Sequence, residues 1–134
     1  MWGWEKMEKM ATVLVIEDDR DLYSLFDLIL KMAGFEVNVV SNGTEAVRRL
    51  REGQLPDAIT LDLHLPGVSG NEIYSVLENM NEAHRVLVVS ADVQEVQNYI
   101  LRGAKAASKP IAMDDLIRHV KAIAERSLAL GAAV

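Results

Sequence analysis

The sequence predicts an α/β fold, a doubly wound (βα)5 parallel five-stranded sheet in a single domain, and three observations carry that prediction. Short runs rich in Val, Ile and Leu recur at residues 13–16, 37–40, 58–61 and 86–89, with a weaker one at 104–107. The first four are near-continuous rather than alternating, as expected of strands covered on both faces. Segments with helical apolar spacing lie between them, and such alternation with right-handed crossovers gives a parallel sheet with helices on both sides.

In order, the first run leads into a stripe of Leu22, Leu25, Phe26, Ile29 and Leu30, with Gly34 where a helix stop belongs. After the second run, Asn42 and Glu45 have capping-box spacing ahead of Ala46, Val47 and Leu50, and Gly53 follows. The third run precedes a stripe of Ile73, Val76, Leu77 and Met80. Beyond the fourth, Asp92 and Glu95 are placed to cap a helix bearing Val93, Val96 and Ile100, which ends before Gly103. Leu116, Ile117, Val120, Ile123 and Ala124 carry the last helix, after Pro110.

Composition narrows the function. A chain of 134 residues, half of them hydrophobic, has enough material for a real core despite a net charge of −6. That charge and the lack of any basic run argue against nucleic-acid binding. With no cysteine there is no disulfide framework, thiolate zinc site or thiol nucleophile. No apolar stretch approaches the ~20 residues of a membrane span, and residues 1–10, "MWGWEKMEKM", lack the apolar core of a secretory signal. The expected setting is cytoplasmic. Residues 1–10 read as a poorly ordered extension carrying Trp2 and Trp4, 11–127 as the domain, and 128–134 as a C-terminal tail, either a trailing helix or a linker.

In doubly wound sheets ligands bind outside the carboxyl ends of the strands, so the residues just after each apolar run matter most. The first run ends in Glu17, Asp18 and Asp19, the third in Asp62, the fourth in Ser90 and the fifth in Ser108 and Lys109. Taken singly each has an ordinary explanation: acids suit the first turn of a helix, Ser90 suits a helix cap, and Lys109 suits a solvated surface. Together they form a set with one chemistry. Mg²⁺ is typically held by carboxylates, waters and phosphate oxygens, and an Asp beside it can attack phosphorus to give an aspartyl phosphate. The phosphoryl oxygens then need a lysine ammonium and a hydroxyl or backbone N–H beside the metal. His64, His84 and His119 show no metal-ligand spacing.

Four pieces, "VLVIEDD", "LDLHLPGVSG" (D-x-x-[ML]-P-x-x-x-G), "VLVVSA" and "KP", make residues 11–127 resemble a response-regulator receiver domain of bacterial two-component signalling. The resemblance implies a flavodoxin-like strand order, 2-1-3-4-5, and a phospho-aspartate switch charged by a sensor histidine kinase or histidine phosphotransfer protein and read by an effector protein or output domain. It implies no binding of nucleic acid or membrane by this domain, and no catalysis beyond its own phosphorylation and dephosphorylation. Carried over by position, Asp62 is the phosphoacceptor, Asp18 the principal Mg²⁺ carboxylate with Glu17 in support, and His64 lends its backbone carbonyl. Ser90 is the switch hydroxyl and Lys109 the phosphate-contacting lysine, while Asp19 is a helix-start residue. His64 and Asp92 occupy positions that flank the attacking water's path in this family, which implies slow self-dephosphorylation.

Two departures bear on signal readout. The family usually carries Tyr or Phe three residues before the lysine, where this chain has Ala106, and "GAKAASKP" is one residue short of the usual stretch. Tyr99, on the preceding helix, is the nearest aromatic in sequence to fill the vacated space. The competing reading is a metal-dependent phosphohydrolase working through an aspartyl phosphate. A haloacid-dehalogenase-type enzyme would need a second acid at position 64, where His64 stands, and a toprim-like nuclease would also want D-x-D. A flavin carrier would need a phosphate-cradling loop where the acids 17–19 lie.

Overall fold

The structure is a computed structural model and describes residues 10–132. Trp2 and Trp4 lie outside the described residues. Five strands, β1 (Thr12–Ile16), β2 (Glu36–Val40), β3 (Ala58–Asp62), β4 (Val86–Ser90) and β5 (Lys105–Ser108), form one sheet in the order β2-β1-β3-β4-β5. Every adjacent pair is parallel. The expected fold class and strand order are thus found.

Alternate strand residues feed two cores. Val13, Val15, Leu87 and Val89 pack with Phe26, Ile29 and Leu30 of α1 (Arg20–Met32) and with Leu116, Val120 and Ile123 of α5 (Met113–Ala132). Leu14, Ile16, Ile59, Leu61 and Val88 pack on the other face with α2 (Gly43–Glu52), α3 (Gly70–Asn79) and α4 (Val93–Leu101). Coverage on both faces holds for β1, β3 and β4; the edge strand β2 alternates between exposed and partly buried residues, and β5 is only partly buried. An edge strand has only one sheet neighbour, so the uniform burial predicted for residues 37–40 is reached only at Val40.

Helix starts follow local chemistry. Asp19 caps α1 through Leu22 N–H, Asn42 caps α2 through Glu45 N–H, and Asp92 caps α4 through the N–H groups of Gln94 and Glu95. Only half of the expected capping box forms at α2, because the Glu45 carboxylate pairs with Arg48 instead of reaching back. Ser69, not singled out from the sequence, caps α3 through Glu72 N–H. Three helical stripes also shift, that of α3 by the exposure of Met80 just past its end. Leu25 is exposed on α1, and α4 is anchored by Val96 and Tyr99 while Val93 and Ile100 face outward. Residues 128–132, set apart as a tail, continue α5. Among the described residues no helix is long and apolar enough to cross a membrane.

The segment linking β3 to α3 is pressed against its surroundings at two glycines. A Cβ on Gly70 would lie 2.1 Å from the Asp62 carbonyl oxygen and 2.5 Å from Leu63 Cα, and one on Gly43 would lie 1.6 Å from the Val68 carbonyl oxygen. Gly70 N–H in turn donates to the Leu63 carbonyl (2.9 Å). The last glycine of the D-x-x-L-P-x-x-x-G stretch is therefore needed for close backbone approach beside Asp62. Gly70→Ala should destabilise the domain by about 1–3 kcal/mol, the usual range for overpacking. Gly53→Ala, whose Cβ would meet nothing nearer than 3.9 Å, should stay within about 0.5 kcal/mol of the parent. Urea midpoints of the two variants check the contrast.

Candidate functional site

The chain moves from β1 to β2 on one side and then returns to place β3 on the other side of β1. This reversal opens a crevice at the carboxyl ends of β1 and β3, where Glu17 follows Ile16 and Asp62 closes β3. Glu17 is 2 % exposed and Asp62 5 %, while Asp18 is open to solvent. One carboxylate oxygen from each of Glu17, Asp18 and Asp62 lies within 4.8 Å of the others.

Lys109, from the end of β5, reaches into this cluster. Its Nζ lies 2.8 Å from Glu17 Oε1 and 3.3 Å from Asp62 Oδ1. Lys109 N–H donates to the Ser90 carbonyl (2.9 Å), so the lysine's backbone is stitched to the end of β4. His64 N–H donates to Asp62 Oδ1 (3.3 Å), and Asp19 N–H to Glu17 Oε2 (3.2 Å).

Electrostatics single out Glu17. Burial pushes its carboxyl up to about 6, and the neighbouring Asp62 adds to that rise, against the opposing pull of Lys109 and the Asp19 N–H. Burial works against the charge on Lys109, but its bonds to Glu17 and Asp62 outweigh that and hold the ammonium above its ordinary value. One ammonium among three carboxylates leaves an excess of negative charge in a partly desolvated crevice. An all-oxygen donor set of this kind suits a hard divalent cation. The acidic cluster can hold a metal ion.

The structure brings together Glu17, Asp18, Asp62 and Lys109, with the main chain of His64 beside them. Asp19 stays outside the cluster as the cap of α1. Ser90 sits at the end of the next strand, fully buried, with its hydroxyl donating to Glu95 Oε1 (3.3 Å) and accepting from Asp92 N–H (3.1 Å). The Asp92 carboxylate is taken up in capping α4. The His64 ring projects into solvent and meets Glu95 Oε1 through Nε2 at 2.6 Å.

Glu95 is the residue the sequence did not mark for the site. Its position in a first helical turn looked like capping, and its partners lie 31 and 5 residues away. Only the fold reveals them.

Beside β5, Ala106 packs against the core cluster that contains Tyr74 and Tyr99. Tyr99, 4 % exposed, donates to Asn71 Oδ1 (2.5 Å) and meets the Tyr74 ring edge-on at 4.9 Å between centroids. Arg102 stacks its guanidinium over Tyr99 (4.8 Å) and Tyr74 (5.4 Å) while bonding both carboxylate oxygens of Glu78 at 3.0 Å. Tyr99, on α4, and Ala106, on β5, thus belong to the same core cluster.

Comparison with known proteins agrees with this architecture. The family described as response regulator receiver domain matches residues 13–121. The chain is 33 % identical over 123 residues to the phosphate regulon transcriptional regulatory protein PhoB of Rhizobium meliloti, covering 88 % of this chain and 54 % of that protein. It is 34 % identical over 119 residues to the transcriptional regulatory protein PrrA of Mycobacterium tuberculosis, covering 85 % of this chain and 50 % of that one. The chain thus spans about half the length of these relatives. Among solved structures, a response regulator receiver domain protein from Clostridium thermocellum superposes with a TM-score of 0.79 at 25 % identity, covering 90 % of this chain and 99 % of that one. A family match running from β1 into α5, on a sheet whose strand order places acids and lysine at one crevice, establishes that the chain belongs to the response-regulator receiver domain family.

Proposed function

We propose that this receiver domain, a phospho-aspartate signalling switch, is phosphorylated on Asp62 with Mg²⁺ held by Glu17, Asp18, Asp62 and the main-chain carbonyl of His64. The observation that carries the reading is the placement of Lys109 Nζ between Asp62 and Glu17, inside a trio of carboxylates. The phosphoryl donor is a phosphohistidine on a sensor kinase or phosphotransfer protein. A carboxylate oxygen of Asp62 attacks phosphorus; the O–P bond forms as the N–P bond breaks, and the imidazole nitrogen leaves with the electron pair. Bound in the acidic cluster, Mg²⁺ offsets the charge of the carboxylates and of the incoming phosphoryl oxygens. Lys109 binds one phosphoryl oxygen through its ammonium, and the Ser90 hydroxyl, turned from Glu95, binds another.

The domain catalyses only its own phosphorylation and dephosphorylation, in a cytoplasmic setting, and passes its state to an effector protein or output domain rather than to nucleic acid. The phosphohydrolase alternative lacks support in the site, where His64 occupies the position at which a second acid would be needed. Residues 11–127 make up the working unit.

Asp62→Asn should abolish incorporation of phosphate from acetyl phosphate, and EDTA should do the same for the parent, as read by intact-protein mass. Undiminished labelling of the variant would sink the assignment.

Mg²⁺ affinity should separate the two adjacent aspartates. Loss of a charged contact worth roughly 1.5 kcal/mol or more would weaken binding about tenfold in Asp18→Asn. Asp19→Asn keeps a good helix cap and should bind nearly as the parent does. A larger effect at Asp19 in calorimetric titration would mean that the metal register is displaced by one residue.

Because Glu17 titrates near 6 in the metal-free fold, above the ordinary 4.5, the folded state holds a proton between those values that the unfolded chain has lost. That contribution to stability is present at low pH and disappears as pH rises through about 6. Metal needs the carboxylate, so Mg²⁺ must displace this proton below about pH 6. The Mg²⁺-induced rise in Tm should therefore be full at pH 7–8 and shrink toward pH 5. A rise that is independent of pH across this window would count against Glu17 as a ligand.

A further inference from the structure

We infer that Glu95 is a positioning residue that latches the Ser90 hydroxyl in the unphosphorylated domain, braced by His64. The inference rests on the reading of Asp62 as phosphoacceptor and Ser90 as the hydroxyl that turns to it.

Ser90 is fully buried, so water is not available to satisfy its hydroxyl. A serine has one proton to donate. Here that proton goes to Glu95 Oε1 at 3.3 Å, while the hydroxyl oxygen accepts the Asp92 N–H at 3.1 Å. Contact with a phosphoryl oxygen on Asp62 would require the same proton. The two arrangements exclude each other.

Glu95 is itself held. The same oxygen, Oε1, lies 2.6 Å from His64 Nε2. An ionised carboxylate only accepts, so Nε2 is the protonated nitrogen of the His64 ring in this pair. His64 stands two residues after Asp62, in the segment between β3 and α3, and Glu95 stands in the first turn of α4. Their bond therefore ties that segment to α4 beside the crevice, with Ser90 at its inner end. The start of α4 does not need the Glu95 side chain, because the Glu95 main-chain N–H reaches Asp92 Oδ1 independently (3.2 Å). Its carboxylate is free to serve the latch alone.

A group that stabilises one of two states lowers affinity for any ligand that binds the other. Releasing Ser90 from Glu95 should thus favour a phosphoryl mimic. The test is calorimetric titration of beryllofluoride at saturating Mg²⁺. Glu95→Ala should bind about fivefold tighter than the parent, a modest share of a hydrogen bond to a charged group. Glu95→Gln, which keeps an acceptor oxygen without the charge, should gain less and guards against misfolding of the alanine variant. In a Ser90→Ala background, where there is no hydroxyl to release, adding Glu95→Ala should change affinity less than twofold. A fivefold gain that persists without the hydroxyl would assign the effect to charge repulsion alone and overturn the latch, and so would no gain with the hydroxyl present. Asp62→Asn serves as the separate control. Unchanged beryllofluoride binding there would overturn the phosphoacceptor reading, whatever Glu95 does.

Discussion

A single ammonium shared between two buried carboxylates is the constraint on which this structure turns. Glu17 and Asp62 come from strands that are neighbours only because the sheet reverses direction between β1 and β3. Lys109 arrives from the far edge, and its main-chain bond to Ser90 fixes how far its side chain has to reach. Displacing β5 would leave two acids facing each other in a crevice with little water to separate them. The close approach at Gly70 fixes the other wall by holding α3 against the backbone of Asp62 and Leu63. Acidic cluster, lysine and glycine thus form one arrangement in which each position depends on the others.

Much of this was legible in the sequence for a physical reason. Strands buried on both faces have to be apolar throughout, so the central runs stand out, and a ligand crevice at their carboxyl ends makes the next residue informative. That Glu17, Asp18, Asp62 and Lys109 meet at one crevice was readable on that basis. Helix faces were read less well. On α4 the stripe of Val93, Val96 and Ile100 held only at Val96, because the buried face runs through Val96 and Tyr99 toward the neighbouring Tyr74 and Ala106. Leu25 on α1 illustrates the same limit, since a wide apolar stripe does not say where burial stops. Glu95 was invisible for a different reason. Its bonds are tertiary, and a glutamate in a first helical turn has a sufficient local explanation.

The helices beside β5 carry a polar and aromatic cluster next to Ala106. Tyr99 of α4 lies in the core cluster against which Ala106 of β5 packs, and its ring is fixed on several sides: Asn71 at its hydroxyl, Tyr74 at its edge and Arg102 over its face. Arg102 also ties α4 to Glu78 on α3. The two helices are therefore joined by polar and aromatic contacts as well as by core packing. The same α4 carries Glu95 in its first turn and Tyr99 one turn further on, so the contacts near the crevice and those near the surface are borne by one rigid element.

That arrangement has a temporal consequence. An aromatic standing on a strand can swing about its own torsions while the backbone stays in place, a motion that is fast when the ring has room. Tyr99 has no such room, because its hydroxyl, edge and face are all engaged. Turning the ring alone would break its bond to Asn71 and its contacts with Tyr74 and Arg102, whereas moving α4 and α3 together would keep them. Collective helix motions of this kind fall in the microsecond-to-millisecond range, well beyond the picosecond-to-nanosecond range of free side-chain rotation.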